Sequence, residues 1–93
     1  MSDYTVRFTR RMNRDVRRLK RQGKDLDKLG RVLNMLRHDD LLPSSYRDHS
    51  LSNRWLGARE LHIEPDWLLI YRKDASELVV LAITTGSHSQ VFS

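Results

Sequence analysis

The spacing of apolar residues changes character twice along this chain, and those changes limit what it can fold into. Through residues 10–36 apolar side chains recur every three or four positions: Met12, Val16 and Leu19, then Leu26, Leu29, Val32, Leu33 and Leu36. Each set gives a helix one apolar stripe. Ahead of them Tyr4, Val6 and Phe8 alternate with Thr5 and Arg7, the period of a short strand with one buried face. From residue 58 onward the pattern is strand-like again. Strands are predicted over 58–63, 67–72 and 78–84, with a turn at 73–77. Pro65 ends the first of these because proline cannot donate to a ladder. Short turns between successive strands imply an antiparallel meander.

Local signals agree with this division. Thr9 can cap the first helix and Gly23 suits its stop. Asp25 suits the start of the second helix, so residues 22–24 join the two as a helical hairpin. His38 ends that helix, where a cation favours the dipole, and reads as structural. Residues 39–57 read as mostly irregular, with Pro43, Ser44, Ser45, Asn53 and Gly57 as turn residues. Trp55 and Trp67 read as core. The expected fold is α+β in the order β-α-α-β-β-β. A helical hairpin packs on one face of a four-stranded, mostly antiparallel sheet, and the other face is left partly open. Residues 1–93 suffice for a single domain with one modest core.

Composition narrows the function. No apolar run approaches the ~20 residues that span a bilayer, and Met1-Ser2-Asp3-Tyr4 lacks a signal pattern. The absence of cysteine excludes disulfides, a thiolate nucleophile and a thiolate metal site. These features predict a cytoplasmic protein without membrane contact. The net charge of +5 is unevenly spread. Residues 1–24 hold nine Lys and Arg against two Asp, while residues 25–93 hold eight against ten acids. Arg10, Arg11, Arg14, Arg17, Arg18, Lys20 and Arg21 therefore form a candidate surface for RNA, which an acidic protein partner could also occupy.

The chemistry-bearing residues lie in the second half. Alternation along Arg59-Glu60-Leu61-His62-Ile63 turns Leu61 and Ile63 to the core and puts Glu60 and His62 together on the opposite face. Asp66 follows at the strand end, His49 precedes the sheet, and His88 and Phe92 come after it. RNA cleavage needs such groups: one takes the proton of the 2′-OH, one returns a proton to the 5′-oxygen, and donors stabilise the phosphoryl charge. Histidine suits either transfer because its unperturbed pKa is about 6.5. DNA lacks the 2′-OH and would not be cut this way. Phe92 could pack on the core or stack on a base. There is no His-x-x-x-His pair, no phosphate-binding glycine loop and no Gly-x-Ser-x-Gly elbow, so neither metal nor cofactor is expected. The hairpin suits helix-turn-helix DNA binding poorly, given the large sheet behind it.

Three blocks resemble one family. Tyr46-Arg47-Asp48-His49-Ser50-Leu51 with Trp55-Leu56-Gly57, the stretch Glu60-Leu61-His62-Ile63-Glu64-Pro65-Asp66-Trp67-Leu68-Leu69-Ile70-Tyr71, and Thr85-Gly86-Ser87-His88-Ser89-Gln90-Val91-Phe92 are similar to motifs of the RelE superfamily of toxins, YafQ branch. The resemblance implies the RelE-like fold and a ribosome-dependent, metal-independent messenger RNA endonuclease that stops translation. It implies His49, His62, His88 and Asp66 as the catalytic group and Phe92 as an aid to substrate placement. Within that group, His62 and Asp66 are assigned to proton transfer, with Asp66 the candidate base. His49 is the acid or a transition-state donor, and His88 positions the phosphate. Arg59, Arg47 and Glu60 are candidates for placing the substrate. The implied partners are a cognate antitoxin, the ribosome and messenger RNA, with operator DNA reached only through the antitoxin complex and the free toxin monomeric. Glu60 stands where the branch commonly has Asp, and Ser50 where proline is common. The rival readings are a binding-only inhibitor of translation and a degenerate toxin kept as a repressor partner.

Overall fold

The computed structural model describes residues 3–93; Met1 and Ser2, part of the expected domain and of the start read for a signal, lie outside the described residues. Strand β1 (Thr5–Phe8) leads into helix α1 (Arg10–Arg21) and helix α2 (Leu26–Arg37). The Thr9 hydroxyl accepts from the Met12 amide and donates to the Ile83 carbonyl at 2.6 Å, so one side chain starts α1 and ties it to the sheet. At the other end the Gly23 amide bonds the Lys20 carbonyl and the Lys24 amide bonds that of Leu19, with Gly23 at φ +79°. This paired closure needs a left-handed residue, which glycine adopts without a Cβ penalty. Asp25 caps α2 by accepting from the Asp27 amide. α2 ends through the same paired closure with Asp39 in the left-handed position, and His38 Nδ1 lies 3.1 Å from Asp3 Oδ1.

The remaining elements are β2 (His49–Ser50), β3 (Arg59–Glu64), β4 (Trp67–Asp74), β5 (Val79–Gly86) and a short helix α3 (His88–Phe92). The sheet has five strands in the order β1-β5-β4-β3-β2, with β1 parallel to β5 and the other pairs antiparallel. The expected four-strand count misses β2. A two-residue strand is too short to show alternation, and it lies in the stretch read as irregular.

The helical hairpin covers one face, as expected. Met12 and Leu19 of α1 and Leu29, Val32 and Leu36 of α2 pack on Tyr4, Leu61, Trp67, Leu69, Tyr71, Val80 and Ala82. Trp67 belongs to this core, and its indole N–H donates to the Thr85 hydroxyl at 2.9 Å. The opposite face carries a smaller cluster of Ala58, Ile70 and Val91 with Leu51, Trp55 and Ile83 packed against it. Val91 belongs to α3, so the chain after β5 folds back over part of the face that was expected to stay partly open. Phe8, read as buried, is 37% exposed on the edge strand β1. Among the described residues no helix is long and apolar enough to cross a membrane.

Candidate active site

β2 pairs His49 with Glu60, and alternation along β3 puts Glu60 and His62 on one face. Glu60 is 6% exposed and lies between two imidazoles: His62 Nε2 is 3.3 Å from one carboxylate oxygen and His49 Nε2 is 3.7 Å from the other. The ring of His62 stacks at 6.4 Å from that of His49 and lies 5.7 Å from that of His88, measured between centroids. The three rings therefore form a row with His62 in the centre.

Each ring is oriented through Nδ1. His49 Nδ1–H donates to the Arg47 carbonyl at 2.7 Å, so in the neutral ring the lone pair is on Nε2, the nitrogen beside Glu60. His88 Nδ1 lies 2.7 Å from Asp66 Oδ1, and the same oxygen accepts the His88 amide at 2.9 Å. These two bonds, the backbone one first, hold the Asp66 carboxyl below the usual carboxylate range. His62 Nδ1 is 3.2 Å from Arg47 Nη2 and 3.3 Å from the Pro65 carbonyl. A neutral ring accepts from Arg47 and keeps its proton on Nε2, which stands 3.3 Å from Glu60. A protonated ring donates to Pro65 instead and must release the guanidinium.

Local backbone explains the placement. A 3-10 turn over Ser44–Tyr46 ends with Arg47 in the left-handed region at φ 48°, which reverses the chain into β2. Asp48 lies between Arg47 and His49 and points to other partners. Its carboxylate accepts from Arg59 Nε and Nη2 at 3.1 and 2.9 Å and from the Tyr71 hydroxyl at 2.5 Å. Burial, then Asp48, pushes the Tyr71 phenol well above its ordinary value. α3 begins at a capping box between Ser87 and Gln90, which sets His88 at the first turn. Phe92 meets Trp55 edge-on at 6.1 Å, lies 6.4 Å from the His88 ring and is 40% exposed. It therefore both packs and offers a ring edge beside the imidazoles.

The structure thus brings together His49, His62, His88, Glu60, Asp66, Arg47 and Phe92. It does not bring Arg59, whose guanidinium is engaged by Asp48. The basic helix also divides: Arg10, Arg14, Arg17, Lys20 and Arg21 are exposed, whereas Arg11 and Arg18 turn inward. One neighbouring feature escaped the sequence reading. A groove of about 490 Å³ beside His62 is walled by Lys28, Arg31, Tyr46, Arg47 and Pro65. Lys28 and Arg31, three apart on α2, were the signal for it. One ligand atom each from Glu60, His62 and His88 lie within 4.8 Å of one another, close enough to share a metal ion. Sequence spacing could not show this, because the fold draws the three from separate elements.

Residues 4–93 match a family model described as the bacterial toxin of type II toxin–antitoxin systems, YafQ. The chain is 33% identical over 88 residues to the mRNA interferase toxin YafQ of Escherichia coli K12, covering 94% of each. Its structure superposes on a chain of the Escherichia coli DinJ–YafQ toxin–antitoxin complex with a TM-score of 0.88 at 30% identity, over 98% of this chain and 99% of that one. It also superposes on a metal-bound toxin from Helicobacter pylori with a TM-score of 0.90 at 31% identity, over 96% and 99%.

Proposed function

The chain belongs to the YafQ family of bacterial toxins of type II toxin–antitoxin systems, and from that premise we propose that it is a messenger RNA endoribonuclease that cuts on the ribosome without a metal ion. The observation that carries the reading is the row of three imidazoles around the buried Glu60 carboxylate. Two exposed rings with oriented Nε2 atoms flank a central one held between a carboxylate and a guanidinium.

In the proposed reaction one outer imidazole takes the proton of the 2′-OH as that oxygen attacks phosphorus. The other gives a proton to the departing 5′-oxygen. The products are a 2′,3′-cyclic phosphate and a free 5′-hydroxyl, and the protons balance. Arg47 supplies positive charge to the phosphoryl oxygens with the His62 ring held beside it, and the Glu60 carboxylate stabilises an imidazolium at His49. Asp66 takes a different part from the base first assigned to it. A carboxylate that accepts two bonds from His88 and is lowered in pKa is a weak base, so it orients His88. Arg59 and Tyr71 hold Asp48 and thereby the loop carrying Arg47 and His49.

The exposed arginines of α1 suit ribosomal RNA. The partners are an antitoxin that wraps the toxin, the ribosome with its messenger, and operator DNA through the antitoxin complex. The free protein is a cytoplasmic monomer of one domain. A metal on Glu60, His62 and His88 would occupy the His88 lone pair that this route uses for proton transfer, so it would inhibit.

The test is cleavage of a defined messenger on programmed ribosomes, with products mapped by primer extension. Wild type, His49→Ala and His88→Ala are compared with and without EDTA. Discrete cuts that survive EDTA and fall at least about 100-fold in each variant are expected. Intact messenger on stalled ribosomes would show a binding-only inhibitor, and cuts abolished by EDTA would refute the metal-free route.

A further inference from the structure

α3 is five residues long, far below the length at which a helix holds itself in water. It nevertheless carries His88 and Phe92. Its start is fixed by the capping box and by Asp66, and Val91 anchors it in the small apolar cluster. The rest of its hold comes from the opposite end of the chain, through two arginines on α1. Arg11 Nη2 donates to the Val91 carbonyl at 2.8 Å and reaches the Gln90 carbonyl at 3.5 Å, which satisfies carbonyls that a helix end leaves unpaired. Arg18 Nη2 donates to the Thr85 carbonyl at 3.0 Å and reaches Gln90 Oε1 at 3.4 Å. Its Nη1 donates to Asp15 Oδ1 at 2.7 Å.

Asp15 is 6% exposed and is itself held to the sheet: its other oxygen accepts from the Thr84 hydroxyl at 2.6 Å and the Thr85 amide at 3.1 Å. A partly buried ion pair is weak evidence for stability, since apolar residues of similar volume often do as well. What this pair does specify is geometry. It places one guanidinium where β5 gives way to α3. Gly86 marks the closeness of fit. At φ +151° a Cβ there would stand 2.7 Å from both Arg18 Nη2 and Gln90 Oε1, so the strand-to-helix crossing is made in contact with the guanidinium.

We propose that Arg11 and Arg18 are positioning residues for the cleavage reaction: they clamp α3 and so set where the His88 imidazole and the Phe92 ring stand. The inner face of α1 is then part of the catalytic frame, while its outer face remains free for a polyanion. The proposal rests on the reading of His88 as a catalytic group, but the clamp has its own readout.

Arg18→Lys keeps a cation for Asp15 and loses the fork; Arg11→Gln removes the hold on the end of α3 without touching the Asp15–Arg18 pair. For each variant, cleavage on programmed ribosomes is measured as kcat and KM, beside the His88 imidazole signals in an NMR pH titration and a thermal melt. The expected result is a kcat at least about tenfold lower, KM within about twofold, and His88 signals shifted from those of wild type; a misplacement near 1 Å suffices for such a loss. His88 signals that overlay the wild-type ones in both variants would overturn the clamp whatever the rate does. Shifted signals with unchanged kcat would overturn its bearing on the reaction. Should Arg18→Lys fail to fold, Arg11→Gln decides alone. A wild-type protein that cuts no messenger would refute the nuclease reading, while the histidine signals would still decide whether α1 sets the position of His88.

Discussion

Tyr71→Phe removes one hydroxyl and leaves the core otherwise filled. That hydroxyl donates to Asp48 at 2.5 Å, from a side chain only 2% exposed. A hydrogen bond to a charged group contributes about 1.5–3 kcal/mol. Asp48 keeps its two bonds from Arg59 and is about one-fifth exposed, which favours the low end, about 1.5–2 kcal/mol. In a domain of this size each kcal/mol shifts the melting temperature by about 4–8 °C, so a drop of roughly 6–16 °C is expected. The phenol stays protonated throughout the working pH range because burial raises its pKa, so the drop should not depend on pH between about 6 and 8. Because Asp48 sits between Arg47 and His49, the loop loosens as well. Faster amide exchange at residues 47–49 should accompany a lower cleavage rate. Calorimetry on Tyr71→Phe, Asp48→Asn and the double variant isolates the pair. A drop below about 3 °C, or an equal drop in the Asp48→Asn background, would refute the argument.

Three further outcomes follow from the site and the basic helix. Asp66 has a lowered pKa in the folded protein, so its hold on His88 is complete above the ordinary Asp value of about 4 and is lost as pH falls through the lower folded value; the His88 amide shift should report this, and Asp66→Asn should abolish the transition. Glu60→Gln keeps the shape but removes the charge facing His49 and His62, so cleavage should fall by at least about tenfold with the melt preserved; an unchanged rate would remove Glu60 from the mechanism. Replacing Arg10, Arg14 and Arg17 with Gln should reduce the salt slope of ribosome binding by about two to three, and an equal slope in the variant would show that α1 does not touch phosphate.

What the sequence made legible follows the length of its periodic signals. The stripes of α1 and α2 and the meander around Pro65 span several residues with one repeat and stand where expected, although β4 runs two residues into the expected turn. β2 and α3 are two and five residues long and give no period. β2 is recognised only by its pairing with β3, and α3 by a capping box that reads equally well as a loop. The pairing of Glu60 and His62 was legible because alternation is local. The engagement of Arg59 with Asp48 was not, since it depends on which way a left-handed Arg47 turns the chain. Nor could charge density separate Arg11 and Arg18 from their neighbours. A cation that holds a carbonyl and one that faces solvent have the same letter.

The pairing of β1 with β5 also bears on when the protein can act. β1 is made early, yet its partner is β5, where Thr5 meets Val79 across the sheet. The ladder joining them, and the helix face packed on it, must wait for nearly the whole chain, a long-range closure of the kind that folds slowly. The three imidazoles come from separate stretches, and the last of them follows β5. Under the proposed activity, a half-made chain is inert. Strand order thus works as a delay: under that activity, the ribosome synthesising the chain finishes before there is anything to cut its messenger.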